Sequence, residues 1–277
     1  MTVPRPHPPP REAAAFARAQ QGFPGGAPVQ RMSFFPALPV PLGLEVSTTQ
    51  PHPCPYLAGR VAVSRGFACG DVPGWVYQEL MDAGFRRSGR VFYQMACPGC
   101  RACVPIRVPV NTFRPSKSQR RVLRRNRDLG ISLGRPRLTA EKADLYARYL
   151  AARHDRQMAA DAPELEDFLY RSPTRTVEVC LRSPEGRLAG VGICDRTPLA
   201  LSSVYFYFEP DFPRRSLGVF GSLVELRAAR VLGLRYYYLG YWVRGCPKME
   251  YKEAFRPCEL LGTDGLWRPF GEALREG

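Results

Sequence analysis

The chain's 277 residues, 45% of them hydrophobic, suffice for one large domain or two small ones with a real core. No run approaches the roughly 18 apolar residues of a membrane span, and the N-terminus carries prolines and arginines where a secretory signal needs a continuous apolar run. No membrane partner is expected, and a reduced, cytoplasmic protein is expected whose nine cysteines serve as ligands, nucleophiles or buried hydrophobes.

The formal net charge of +15 is unevenly placed. Between Arg101 and Arg137 stand eleven Lys or Arg against the single Asp128. Such concentration points to a polyanion, because each neutralised phosphate releases a counterion and arginine's fork matches phosphate oxygens. A solvated basic face is the alternative.

Residues 1–50 are punctuated by proline without helical or strand period, so a flexible leader is expected, with Met32 available as an internal start. Order is expected from Pro53 and Cys54 onward. PGWVYQELMDAGF suits a short helix with Pro73 in its first turn and Gly84 ending it. RVFYQMAC and VPIRVPVNTF read as strands flanking CPGCRAC, which puts three thiols on the turn between them; Ser116 or Ser118 then caps a basic helix. These features make residues 51–138 a cysteine-loop and basic region.

A second unit, 139–277, opens where Thr139 caps a helix with Leu145, Tyr146, Tyr149 and Leu150 on one face. TVEVCLRS, RLAGVGICD and LSSVYFYFEPD follow as strands, the last with Val204, Phe206 and Phe208 alternating against Tyr205 and Tyr207. A helix bearing Leu217, Phe220, Val224, Ala228 and Val231 ends at Gly233, and LRYYYLGYW supplies a last core strand. The order strand, strand, strand, helix, strand suits an α/β (α+β) fold, a mixed sheet with a crossover helix.

Three motifs bear on chemistry. RRSLGVFG, at a helix entry, resembles the pyrophosphate loop of acetyltransferase-type folds, where backbone N–H groups meet an anion. Phe220 stands where Gly or Ala would let a diphosphate approach, which argues against coenzyme A and for an acyl donor of another shape. The spacing C-x2-C-x2-C of Cys97, Cys100 and Cys103 is that of metal ligands, and Cys54 is a fourth thiolate for zinc or iron–sulfur. Leu57 takes the place of a second knuckle, so a plain thiol-lined loop is the alternative. Cys180 and Cys194 fall in strands as small buried hydrophobes. His154 reads as a surface residue, and three histidines suggest no His-centred triad. Finally, GYWVRGCPKMEYKEAFRP gathers Tyr241, Trp242, Lys248, Tyr251, Lys252 and Arg256, rings and cations suited to a terminal adenosine and a carboxylate, or to an amphipathic surface.

CPYL, YQELMDAGFRRSG, CPGCRACVPIRV, FRPSKSQRRVLRRN, SLGVFGSL and YYYLGYWVRGCPKMEYKEAFRP together resemble the aminoacyl-tRNA–protein transferases of the N-degron pathway, nearest the bacterial leucyl-transferring branch. The likeness spans about residues 51–270. It implies a GNAT-like fold that takes leucyl-tRNA in place of acyl-CoA, needs no cofactor for transfer, and modifies proteins that begin with Asp or Glu. In eukaryotic arginyl relatives the cysteine region is linked to metal or iron–sulfur; here Cys54 matches and Leu57 replaces its partner.

An activated ester needs only a neutral α-amine, whose ordinary pKa lies near 8, and donors for the oxyanion. Asp195 is the candidate for orienting or deprotonating the amine, with Tyr241 beside it; a turn aspartate is the other reading of Asp195. An acidic acceptor side chain requires a cation, supplied by Arg86, Arg87, Lys248, Lys252 or Arg256. Arg114, Lys117, Arg120, Arg121, Arg124, Arg125 and Arg215, with Trp242 and Tyr251, are expected to hold the tRNA. Rival readings are arginyl transfer by the same chemistry and a non-catalytic zinc-knuckle RNA-binding protein.

Overall fold

A computed structural model describes residues 46–153 and 162–275. Most of the expected leader and His154 lie outside these residues. The first strand among the described residues, β1 (Ser47–Thr48), stands slightly before the Pro53 and Cys54 from which order is expected. After a two-stranded ribbon of β2 (His52–Pro53) and β3 (Val61–Ala62) come β4 (Ser64–Ala68), α1 (Gly74–Asp82), β5 (Arg86–Ser88) and β6 (Val91–Met95). Pro73 precedes α1, and Gly84, at φ +87°, turns the chain after it. The strands form an antiparallel sheet in the order β1-β4-β6-β5, with Phe67, Phe85 and Phe92 packed on Tyr77, Leu80 and Met81 of α1.

The chain then builds a second, eight-stranded sheet. Its elements are β7 (Val104–Pro109), α2 (Lys117–Arg125), β8 (Gly130–Gly134), α3 (Ala140–Arg153), α4 (Ala162–Leu165, extended by a π-helical turn to Tyr170), β9 (Thr176–Arg182), β10 (Leu188–Arg196), β11 (Ala200–Phe208), α5 (Leu217–Val231), β12 (Tyr236–Trp242), α6 (Pro247–Glu250), β13 (Glu259–Leu261), β14 (Trp267–Pro269) and α7 (Phe270–Ala273). The order β14-β13-β7-β12-β11-β10-β9-β8 is antiparallel except for β11 and β12, which run parallel because α5 crosses between them. This is the expected mixed α/β sheet with a crossover helix. Two of its strands, β7 and β8, precede residue 139, so the large sheet draws on both expected segments.

One face of the large sheet is covered by α5 and, outside it, α2. Leu223, Leu226 and Ala229 meet Leu201, Tyr237 and Leu239, while Leu217, Phe220 and Val224 meet Val179 and Leu181. The opposite face is shared. Leu145, Tyr146 and Leu150 of α3 cover Val191, Ile193 and Tyr207; α1 and its sheet cover Ala200 and Tyr238. Polar ties lock that second contact. Arg107 binds Asp82 at 2.8 Å and Glu259 at 2.6 Å while stacked 3.9 Å from the Tyr236 ring, and Thr197 donates to Gln78 at 2.6 Å. Among the described residues no helix is long and apolar enough to cross a membrane.

Candidate active site at the fork of two strands

The parallel pair closes only through Ala200, Leu201 and Ser202 against Tyr236, Tyr237 and Tyr238. Beyond that point β11 continues to Phe208 on β10, while β12 continues to Trp242 on β7, so the two strands part and leave a fork. A bulge stands on each side. Cys194 pairs with Ser203 but Ile193 with Tyr205, which makes Val204 the extra residue in β11. Val204 therefore packs with Tyr205 and Tyr207 toward α3, leaving Phe206 and Phe208 on the α5 side; the simple alternation expected across Val204 fails at the bulge. On β12 the register slips between Tyr238 and Tyr241, where Gly240 takes φ +82°, a conformation that side chains with a Cβ rarely adopt.

Two cations look onto Gly240. A Cβ added there would lie 3.6 Å from Lys252 Nζ and 3.7 Å from Arg86 Nη2. Arg86, 6% exposed, donates from Nη2 to Ser202 Oγ and to Ser203 O, both at 3.1 Å. Lys252 donates to Tyr241 O at 2.7 Å. Of the three buried arginines among the described residues, Arg87 and Arg107 have carboxylates in contact; Arg86 has none within 4 Å.

On the α5 side of the fork lies a carboxyl that the sequence reading missed. Glu225 is fully buried and accepts from the Tyr237 hydroxyl at 2.6 Å, while its other oxygen, Oε1, has no hydrogen-bond partner among the described residues. Oε1 sits 2.4 Å from where a Cβ on Gly192 would be, so only glycine fits beneath it. Burial pushes the Glu225 carboxyl up to about 7, against the Tyr237 hydrogen bond and the nearby polar groups of Ser203 and Cys194, which favour the charged form. Its signal in the sequence is an acid within SLVELRAA, the apolar middle of a core helix. The Tyr251 phenol, pushed up to about 12 by burial and by Glu225, stands near Ser222 one turn earlier on α5.

The other expected residues are distributed as follows. Asp195 and Arg87 bind each other, Nε to Oδ2 at 2.6 Å and Nη2 to Oδ1 at 2.8 Å, with both side chains sealed from solvent and Thr176 also donating to Asp195. That pairing removes Asp195 as an available base and Arg87 as a carboxylate reader. Tyr241 turns its phenol to Gly84 O at 3.3 Å and packs with Cys103, Val243 and Cys246, so it too points away from the fork. Lys248 is exposed on α6, Arg256 is exposed over the Phe270 ring at 4.1 Å, and Trp242 is buried against that ring's edge.

The basic residues do assemble. Ser116 caps α2 by accepting from Gln119 N at 3.2 Å while its own N–H donates to Gln119 Oε1 at 2.9 Å, a capping box. Val122 and Leu123 pack inward, and Arg114, Lys117, Arg120, Arg121, Arg124 and Arg125 stay exposed. The helix is fixed to the start of α5. Asn126 donates to Arg215 O at 2.8 Å, and Arg215 grips Asp128 with two bonds of 2.8 Å. Arg215 thus braces the α2–α5 junction.

The cysteine loop does lie between β6 and β7, but the four-thiolate set is not assembled. Among the described residues no group of three His, Cys, Asp or Glu stands in position to hold a metal. Cys54 accepts from Leu57 N at 3.4 Å, Cys97 from Val63 N at 3.3 Å and Cys100 from Arg60 Nη1 at 3.4 Å. Cys103 is drawn elsewhere because the next residue, Val104, pairs with Trp242 and commits it to the core beside Tyr241. The residues present therefore do not fit a four-cysteine zinc or iron–sulfur site.

Family models described as the N terminus and the C terminus of arginine-tRNA-protein transferase match residues 52–121 and 141–262. The chain belongs to this family. Within it, the chain is 42% identical over 228 residues to an aspartate/glutamate leucyltransferase of Pseudomonas savastanoi pv. phaseolicola, covering 81% of this chain and 96% of that protein. Among solved structures, FemX is similar at 11% identity and a TM-score of 0.46 over 73% of this chain and 70% of its own. A tandem GNAT protein from clavulanic acid biosynthesis is similar at 13% identity and 0.38, over 76% and 59%. As a member of the transferase family the chain is an enzyme, a tRNA-dependent aminoacyltransferase. Phe206 fills the space over Gly221 near the start of α5, where an added Cβ would run into its ring.

Proposed function

We propose that the protein transfers leucine from leucyl-tRNA to the α-amine of proteins beginning with Asp or Glu, and that the fork between β11 and β12 is where the ester and the amine meet. The tRNA body lies on α2, whose exposed arginines meet phosphates, and the 3′ end passes the start of α5 into the fork. No separate activation is needed, since the ester bond is already the reactive one. The amine nitrogen attacks the leucyl carbonyl carbon, and main-chain N–H groups along the parting strands stabilise the oxyanion. The ribose oxygen then leaves as a hydroxyl.

The observation that carries the acceptor half is Arg86. A buried guanidinium without a carboxylate is costly, and its Nε and Nη1 are neither hydrogen-bonded nor sealed from solvent among the described residues. An acidic side chain entering beside Gly240 meets this charge, with Lys252 as the second cation. The test is transfer of label from leucyl- or arginyl-tRNA to peptides beginning with Asp, Glu or Arg. Label from leucyl-tRNA in the Asp and Glu peptides is expected; label from arginyl-tRNA alone, or none, contradicts the proposal.

A further inference from the structure

Glu225 is an acid in the middle of a helix that otherwise buries Leu223, Val224, Leu226 and Ala229. A carboxyl placed there without a full set of partners is unfavourable. Tyr237 satisfies Oε2, whereas Oε1 is unsatisfied and lies above Gly192, whose missing side chain makes room for it. Its neighbours trace the inner end of the fork: Tyr237 belongs to the last paired positions of β12, and Ser203 is the first residue of β11 beyond them. Across the strand at Ser203, Arg86 reaches that residue's carbonyl. Tyr251, 40% exposed, stands close enough to Glu225 for the carboxyl to act on its phenol.

An N-terminal aspartate carries an amine and a carboxylate a few bonds apart. The fork presents matching poles, a carboxyl on the α5 side and a guanidinium on the other. We propose that Glu225 takes the proton from the acceptor α-amine during transfer and returns it to the departing ribose oxygen, an inference that rests on the leucyl-transfer reading. As the amine nitrogen bonds to the leucyl carbonyl carbon, its proton passes to Oε1. The carbonyl-to-ribose C–O bond breaks, the ribose oxygen collects that proton, and the carboxylate is restored, leaving an amide and a ribose hydroxyl.

The groups facing the carboxyl are Cys194 from β10, Ser203 from β11, Tyr237 from β12, Tyr251 after α6 and Ser222 from α5 itself. No lysine or arginine is among the groups that act on it, so burial sets its titration near 7, within reach of the working range.

The test is the pH dependence of kcat/KM from pH 5.5 to 9 for an Asp-starting peptide and leucyl-tRNA. The intact protein is expected to show a rising limb near 7, distinct from the acceptor amine's own limb near 8. Glu225→Gln is expected to lower kcat at least about 100-fold and lose the lower limb, with the Kd for leucyl-tRNA unchanged. Tyr237→Phe, which removes the donor favouring the charged carboxylate, moves the lower limb upward. Should Glu225→Gln not fold, as judged by circular dichroism, that shift alone decides. A Glu225→Gln variant within threefold of the parent, or a Tyr237→Phe limb that stays put, overturns the role of Glu225 while leaving leucyl transfer standing. No transfer from leucyl-tRNA by the intact protein overturns both.

Discussion

Arg86 and Arg87 are adjacent in the sequence and identical in type, yet their surroundings give them opposite energetics. Arg87 is half of a sealed ion pair with Asp195, so Arg87→Ala leaves a buried carboxylate alone and should cost about 3–5 kcal/mol in urea unfolding. Arg86 has no carboxylate in contact, and Arg86→Met is expected to leave stability unchanged or raised while increasing KM for Asp-starting peptides at least tenfold. Equal destabilisation by the two substitutions would contradict this division. The sequence made both residues legible as cations near a site, because composition reveals type; it could not reveal that Arg87 would meet a carboxylate 108 positions away while Arg86 meets only Ser202 and Ser203. Glu225 adds a stability signature. Its folded value near 7 exceeds the ordinary carboxylate value, so the folded state holds the proton more tightly and stability falls as pH rises from about 4.5 to 7. The loss is about 3 kcal/mol by linkage, and Glu225→Gln should remove that part of the slope. An identical slope in the variant would show that the carboxyl is not buried in solution.

At the scale of elements, periodicity disclosed the helices and strands well, since one face of each had to be apolar. The capping box on α2, the crossover by α5 and the shared face of α3 all follow from local pattern. The bulge at Val204 and the parting of β11 from β12 do not, because both depend on register between strands, which a period of two leaves unset. Close contacts at glycines make the fork testable. Gly221→Ala drives a Cβ into the Phe206 ring and should destabilise the protein by about 1–3 kcal/mol, read by thermal unfolding. For α2, replacing Arg121 and Arg124 with alanine should weaken tRNA binding and lower the log–log salt slope by about 2, one per lost phosphate contact. A slope equal to the parent's would place the tRNA elsewhere.

For the molecule as a whole, long ordered motifs carried the family, and the structure explains what they hold together. CPGCRAC links β6 of one sheet to β7 of the other, so the thiol loop joins the sheet that carries Arg86 to the sheet that holds the fork. The metal expectation came from spacing and from the resemblance, and neither can say that Val104 would pull Cys103 into the core. The basic helix is braced by Arg215 and Asp128 against the start of α5; in the proposed reading it sets the carrier's phosphates at one end of the crossover helix, with Glu225 farther along it. The most direct test is a structure of the protein bound to a CCA trinucleotide whose 3′ end carries leucine through an amide. The account predicts the leucyl carbonyl between Ser203 of β11 and Leu239 of β12, with the chain of phosphates leading past Arg215. Leucine found at the Cys97–Cys103 loop, or coenzyme A occupying the fork in its place, would contradict it.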